Sequence, residues 1–280
     1  MPYGISNVTG QVSQLEVNRI LEIAIANGIT TIDTAQSYGS SERVLGRSDI
    51  GMNEFQIATK VPTMTGSRTV DIRAHVLESL DKLRIDSLYA LMFHDSSDLT
   101  GHHAEALWES ATKLQAEGLV LKLGVSVYDP LEAVGLAAKF GLQLVQLPYN
   151  VFDQRALHLG VLALLRQTGV EIHCRSAFLQ GVVFMKPEDL PESLAALRPR
   201  LTLLHDLANR HEVSVESICL AHVNREEIDR VVVGVESSNQ LKRLITAFES
   251  DRRDLVNNLA ELKCDDENLV NPTHWKLPEQ

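Results

Sequence analysis

Residues 13–34 read SQLEVNRILEIAIANGITTIDT, and the change of period inside this stretch decides the fold. Apolar residues recur at helical spacing over Gln14–Asn27. Ser13 precedes them with Glu16 three residues on, the spacing of a capping box. Gly28 then stands where a helix end takes a left-handed residue. Thr30–Thr34 follows as a short run rich in β-branched residues, suited to a strand buried on both faces. Helix, glycine, strand is the unit, and the chain repeats it. Further strands are predicted at Phe55–Lys60, Leu88–His94, Leu121–Ser126, Leu144–Leu147, Val170–Arg175 and Arg230–Val235. Helices are predicted at Thr69–Leu83, Ala104–Glu117, Leu131–Phe140, Leu157–Gln167, Leu194–Arg210, Val215–Val223 and Asn239–Glu249. Asp129-Pro130 starts one of them, and Gly118, Gly141 and Gly169 follow three others.

Such alternation means a parallel sheet with helices outside it. An open doubly wound sheet and a (β/α)8 TIM barrel both satisfy it. The length of 280 residues and the unbroken alternation favour the barrel, folded as one domain over 1–280 with a C-terminal tail from about residue 250. A barrel needs eight strands, and only seven are legible. Met1–Gln11 holds Gly4, Asn7 and Gly10 and no apolar run. The expectation is therefore a barrel whose first strand is missing or residual, with a gap between the Thr30–Thr34 and Arg230–Val235 strands.

Lys and Arg total 26 against 37 Asp and Glu, a formal charge of −11. That balance argues against nucleic acid or an anionic membrane as a partner. Three widely spaced cysteines, Cys174, Cys219 and Cys264, point to a reducing compartment. No signal-like segment and no long apolar span is legible, so a cytoplasmic protein is expected. No metal site is read: His102-His103 lacks supporting carboxylates and reads as a helix start. Cys174 beside Arg175 reads as a buried structural thiol rather than a reactive one.

In barrels of this kind the site lies at the C-terminal ends of the strands. Three successive strands there end in Asp33, Lys60 and His94, and Tyr38 stands five residues past the acid. Any one of these reads as a cap or a solvated end, but together on one rim they form a coherent set. Asp33 offsets the charge of a buried Lys60. A cation beside a phenol favours the phenolate, so Tyr38 is expected below its ordinary pKa and poised as a general acid. A neutral His94 can orient a carbonyl oxygen. An acid aimed at a carbonyl implies a hydride from a cofactor.

The run Asp33-Thr34-Ala35-Gln36-Ser37-Tyr38-Gly39-Ser40-Ser41-Glu42 through Leu45-Gly46 resembles the most recognisable motif of the aldo-keto reductases. Ala58-Thr59-Lys60, Gly124-Val125-Ser126, Val145–Asn150, Arg175–Gly181, Gly234–Leu241 and Asn271–Trp275 resemble the family in order and spacing, over about residues 3–276. The resemblance implies reduction of a small carbonyl compound with NADP(H) or NAD(H), by Asp33, Tyr38, Lys60 and His94. It implies a carboxamide held by Ser126 and Gln146, and Arg175 where many members place an aromatic under the nicotinamide. It places Ser176, Phe178 and Gly181 along the pyrophosphate, and Ser237 and Gln240 near the adenosine end. It leaves substrate identity and oligomeric state open. Three departures qualify it. Val127 stands where the family has Asn, Gly234 and Gln240 where it has a cationic phosphate clamp, and Met1–Ile5 resembles only the end of the first strand. Arg243, a turn further on, could compensate for the clamp. The alternatives are a nucleotide-binding regulatory or inactive homologue, and a phosphate-binding barrel isomerase, against which no Gly-rich loop follows Val231–Val235.

Overall fold

The computed structural model describes residues 11–64, 71–250, 252, 254–255 and 259–275. Its parallel sheet runs in chain order through β1 (Thr31–Asp33), β2 (Gln56–Val61), β3 (Leu88–Phe93), β4 (Val120–Ser126), β5 (Leu144–Pro148), β6 (Glu171–Arg175) and β7 (Arg230–Val231). The helices are α1 (Gln14–Ala26), α2 (Ser41–Gly46), α3 (Ile72–Leu83), α4 (Ser97–Thr100), α5 (Ala104–Ala116), α6 (Pro130–Phe140), α7 (Arg155–His158), α8 (Val161–Gln167), α9 (Arg198–Arg210), α10 (Val215–Val223), α11 (Ser238–Glu249) and α12 (Glu267–Val270). Sequential parallel neighbours joined by helices make the wall of a (β/α)8 barrel, one strand short among the described residues. No described helix is long and apolar enough to cross a membrane.

Burial explains why the strands read as apolar runs. Ile57, Leu91, Phe93, Leu123, Val125, Val145 and Leu147 pack outward against Val76, Leu107, Leu114, Leu136 and Leu165 of the helices. Ala58, Ala90, Met92 and Leu144 form a small cluster of their own. A second apolar cluster joins α9 and α10 to Leu255, Leu259, Leu262, Cys264, Leu269 and Val270 of the C-terminal segment. Cys174 is fully buried and its thiol donates to Tyr149 O at 3.2 Å. Burial pushes that thiol up to about 12, so it is inert.

The seam between β7 and β1 departs from the rest of the wall. Among the described residues β1 pairs only with β2, and β7 only with β6. The predicted strand Arg230–Val235 is reduced to two paired residues, with Val232 N still donating to Cys174 O at 2.7 Å. A strand with one neighbour has half the ladder to hold it. Side chains and helices span the seam instead. Arg230 Nε donates to Thr31 Oγ1 at 3.3 Å, α1 packs on α11, and Ser238 N donates to Glu16 Oε1 at 2.5 Å. Met1–Ile5, on which the residual first strand was expected, lies outside the described residues.

Local signals explain most helix ends. Ser13 Oγ accepts from Glu16 N, and Asp129 accepts from Leu131 N ahead of Pro130. The predicted Leu157–Gln167 helix is instead two helices, divided at Gly160, whose φ of 70° ends one and caps the next. The predicted Leu194–Arg210 helix begins as a 3-10 turn, Glu192–Leu197, and becomes α-helical only from Arg198, where Pro199 occupies the first turn.

Two predictions arise here. A Cβ added at Gly46 would lie 2.0 Å from the Lys82 carbonyl oxygen, so α2 and α3 touch backbone to backbone. Gly46→Ala is expected to cost about 1–3 kcal/mol, since the obstacle is main chain. An unchanged urea midpoint would show that the two helices part freely. His222 is buried, stacked 4.8 Å from Tyr149, and burial with nearby Arg225 lowers its pKa to about 3. The unfolded chain takes up that proton near 6.5. Stability is therefore complete above about pH 6.5 and falls by roughly 1.4 kcal/mol per pH unit below it, until the folded imidazole protonates. His222→Gln should flatten the acid limb of a melting-temperature profile, and a limb of unchanged slope would clear His222.

Candidate active site

All the chemistry-bearing residues singled out on the strands end on one rim. Asp33 closes β1, Lys60 is the penultimate residue of β2, His94 follows β3, Ser126 closes β4 and Arg175 closes β6. Gln146 lies on β5, in register with Ser126. Lys60 is 1% exposed, and its ammonium is enclosed by three oxygens: Asp33 Oδ1 at 2.8 Å, Asp33 Oδ2 at 2.6 Å and Thr34 O at 3.2 Å. Burial pushes Lys60 below its ordinary value, and Asp33 opposes that shift. Gln146 Nε2 donates to Asp33 Oδ1 at 2.7 Å, so the carboxylate is held from two sides.

Tyr38 follows β1 in the tight turn Ala35–Tyr38, closed by Tyr38 N donating to Ala35 O at 3.0 Å. Its ring lies 5.3 Å from Lys60 Nζ and edge-on to His94 at 5.7 Å. The expected depression of the phenol is not what the structure gives. Burial raises Tyr38 to about 12, and Asp33 adds to the rise. The physical reason is that burial withdraws water from the phenolate, and the Asp33 carboxylate repels the charge that deprotonation would create. Arg175 is the group that pulls the phenol down. His94 is lowered by burial first, then by Lys60 and Arg175, and so stays neutral.

Other residues at the rim escaped the sequence reading. Ser37 Oγ lies 3.0 Å from His94 Nδ1 and fixes the imidazole. The signal for it was present, since Ser37 sits one residue before Tyr38 in the same turn. Tyr128 receives the Arg175 guanidinium on its ring face at 4.1 Å. Glu42 lies buried behind the turn and accepts from Thr59 Oγ1 at 2.7 Å and Ser79 Oγ at 2.8 Å. It ties the turn's helix α2 to β2 and α3. Asn150 Nδ2 donates to Ser176 O at 3.1 Å, restraining a non-glycine residue with a φ of 58°.

The model of the aldo/keto reductase family matches residues 1–256. The chain belongs to that family. Its fold is that of an aldo-keto reductase from Bacillus halodurans in the holo form, with a TM-score of 0.73, 19% identity, and coverage of 95% of this chain and 98% of that one. A chloroplastic pyridoxal reductase of Arabidopsis thaliana is 34% identical over 138 residues, 42% of this chain and 37% of its own length. The methylglyoxal reductase DkgA of Escherichia coli K12 is 32% identical over 118 residues, 41% of this chain and 42% of its own length. The chain thus spans about two-fifths of these curated relatives.

In this aldo/keto reductase the Val127 side chain is buried in the core, and its carbonyl accepts from Arg175 Nη2 at 2.9 Å. Ser237 and Gln240 are engaged in the cap of α11. Ser237 Oγ accepts from Gln240 N at 3.1 Å, and Gln240 Oε1 accepts from Glu236 N at 2.9 Å. Ser176, Leu179 and Gln180 all have positive φ, with Phe178 and Gly181 in the same irregular turn after β6.

Proposed function

We propose that the chain reduces an aldehyde or ketone to an alcohol with NADP(H) or NAD(H). The observation that carries the reading is the convergence of Asp33, Lys60, Tyr38 and His94 on one rim, with the Lys60–Asp33 pair closed at 2.6 Å.

The residues present fit a nicotinamide. Ser126 and Gln146 stand side by side in register, and Gln146 gives only its Nε2 to Asp33, so its Oε1 and the Ser126 hydroxyl suit a carboxamide. On this reading Arg175, Ser176, Phe178, Gly181, Ser237 and Gln240 would hold the rest of the dinucleotide. What the cofactor supplies when bound is the hydride for the carbonyl carbon. Tyr38 supplies the proton: a phenol raised to about 12 remains protonated through the neutral range. With the Ser37 hydroxyl as donor to Nδ1, the His94 proton would stand on Nε2, where it can meet the substrate oxygen. Lys60 and Asp33 hold the turn and the local field constant while the proton leaves Tyr38.

Oxidation of NADPH and NADH against a panel of aldehydes tests the reading. Cofactor binding with no turnover on any of them would favour the regulatory homologue instead. The preference between cofactors is expected to be weak. Gly234 and Gln240 bring no charge to a 2′-phosphate, and a hydrogen bond to a charged group is worth about 1.5–3 kcal/mol. Dissociation constants for the two cofactors check this. A ratio above about a thousandfold would mean that a cation, Arg243 first, reaches the phosphate.

A further inference from the structure

We propose that Gln36 and Ser79 are positioning residues that hold Tyr38 over Lys60, acting from outside the barrel wall through the backbone of the turn that carries the phenol. The inference rests on the reading of Tyr38 as the proton donor and names what keeps it in place.

No hydrogen bond to another described residue anchors the Tyr38 hydroxyl, so the ring stands where its turn puts it. The turn itself leaves β1 after Asp33 and hangs on β2 by two backbone bonds, Thr34 N to Ala58 O at 2.9 Å and Gln36 N to Lys60 O at 3.2 Å. The Gln36 side chain adds three more, all to α3. Its Nε2 donates to His75 O at 2.6 Å and to Ser79 Oγ at 2.8 Å, and its Oε1 accepts from His75 Nδ1 at 2.7 Å. A carbonyl oxygen only accepts, so the amide has one orientation, and both of its ends are committed to the helix.

Ser79 is the node of a longer chain. It is buried on α3, accepts from Gln36, and donates to Glu42 Oε1 at 2.8 Å. The same Glu42 oxygen accepts from Thr59 Oγ1 at 2.7 Å, and Lys82 Nζ stands 4.0 Å from the other oxygen. Thr59 and Lys60 are consecutive on β2 and so face opposite sides of the sheet. Thr59 reaches outward to Glu42, and Lys60 reaches inward to Asp33. Hydrogen bonds running from Gln36 through Ser79 and Glu42 to Thr59 thus tie the turn of Tyr38 and the strand of Lys60 to one helix. A buried polar network makes rigid what it joins. The groups that bear on the phenol are Asp33, Lys60, His94, Arg175 and Tyr128, and neither Gln36 nor Ser79 is among them. A change felt by the phenol after substitution at either residue has to travel through the turn.

The test uses three variants of the full chain. Gln36→Met keeps the length of the side chain and removes its hydrogen bonds, and Ser79→Ala removes the node with one atom. Asp71→Ala is the comparison: it deletes the cap of α3, where Asp71 Oδ1 accepts from Ala74 N at 2.9 Å, and leaves the Gln36 and Ser79 bonds alone. In Gln36→Met kcat is expected to fall about tenfold, and in Ser79→Ala about threefold, with dissociation constants for NADH and NADPH within about twofold of wild type. The Tyr38 phenol is followed by NMR of carbon-labelled tyrosine, assigned by its loss in Tyr38→Phe. In Gln36→Met it should titrate nearer the ordinary value of about 10 than in the wild type, since a freer turn admits water to the phenolate. Asp71→Ala should lower the melting temperature and move neither kcat nor the titration. A Gln36→Met enzyme with kcat within about twofold of wild type, or with an unmoved phenol, overturns the proposal. So does an Asp71→Ala enzyme that reproduces both effects, since any loosening of α3 would then suffice. Should Gln36→Met fail to fold, Ser79→Ala is judged by the same titration. If the wild type reduces no aldehyde, carbonyl reduction fails on its own account and the titration decides alone. A phenol moved in Gln36→Met and not in Asp71→Ala then sustains the positioning role, and any other pattern removes it.

Discussion

Tyr38→Phe is expected to lower kcat for carbonyl reduction by about 10²–10⁴, the range general acid catalysis typically supplies. The substitution removes one oxygen and leaves the ring. The edge contact with His94 at 5.7 Å and the Lys60 ammonium at 5.3 Å should therefore persist. Dissociation constants for NADPH and NADH should stay within a few-fold, because no cofactor contact is asked of the hydroxyl. His94, edge-on to the phenol ring, is kept neutral by burial and is short of protons to give. Since the phenol sits near 12, the wild-type reduction rate should be level through neutral pH and fall only in strong alkali, as the proton is lost before substrate arrives. A variant that keeps more than about a tenth of kcat would show that water or His94 delivers the proton.

The second large effect is on stability. Lys60→Met deletes a cation whose side chain is 1% exposed, beside an Asp33 side chain that is 10% exposed. Breaking such a pair by removing one member costs roughly 3–5 kcal/mol, because the remaining charge stays buried. Gln146 Nε2 continues to donate to Asp33 and softens the loss without cancelling it. The stranded carboxyl gains most by taking up a proton, which raises its folded pKa above the unfolded value. The variant's deficit should then be largest at pH 8 and shrink as pH falls toward 4. Equilibrium denaturation at several pH values reads this directly. Stability within about 1 kcal/mol of wild type at pH 8 would mean that Asp33 is better solvated than its surroundings suggest. Activity should fall too, with Tyr38 driven further upward by an uncompensated Asp33.

The legible part of the protein is the part governed by short-range rules. The strand Thr30–Thr34 was readable because a β-branched run follows a helix-ending glycine, although β1 is only half-buried in the structure, and the rim residues because Asp33, Lys60 and His94 stand at the ends of three successive strands with Tyr38 in the turn after the first. What escaped depends on distance in the fold. Arg230–Val235 has the composition of a strand, but a strand also needs two neighbours, and composition does not count neighbours. Lys60 was rightly paired with Asp33. Yet the state of Tyr38 follows chiefly from its own burial, which no spacing announces. Tyr128 and Arg175 lie 47 positions apart by subtraction and meet only because β4 and β6 end on the same rim. Gly160 was passed over as one more helix residue, although it divides α7 from α8.

The seam has a kinetic meaning. Every ladder among the described residues joins strands that are consecutive in the chain, so the wall can be assembled by a series of short loop closures. The contacts that close the circle are of another order: Arg230 meets Thr31 across 199 residues, and Ser238 meets Glu16 across 222. Because closure entropy grows only as the logarithm of the span, these contacts are affordable in an otherwise finished wall and poor as a nucleus. The seam should therefore zip last and part first. Amides of β1 and β7 would exchange with solvent through that opening well before those of β3 and β4, which are locked on both sides. Asp33 lies on β1, so the same opening that begins unfolding also loosens one corner of the tetrad, and catalytic competence would be lost ahead of the fold.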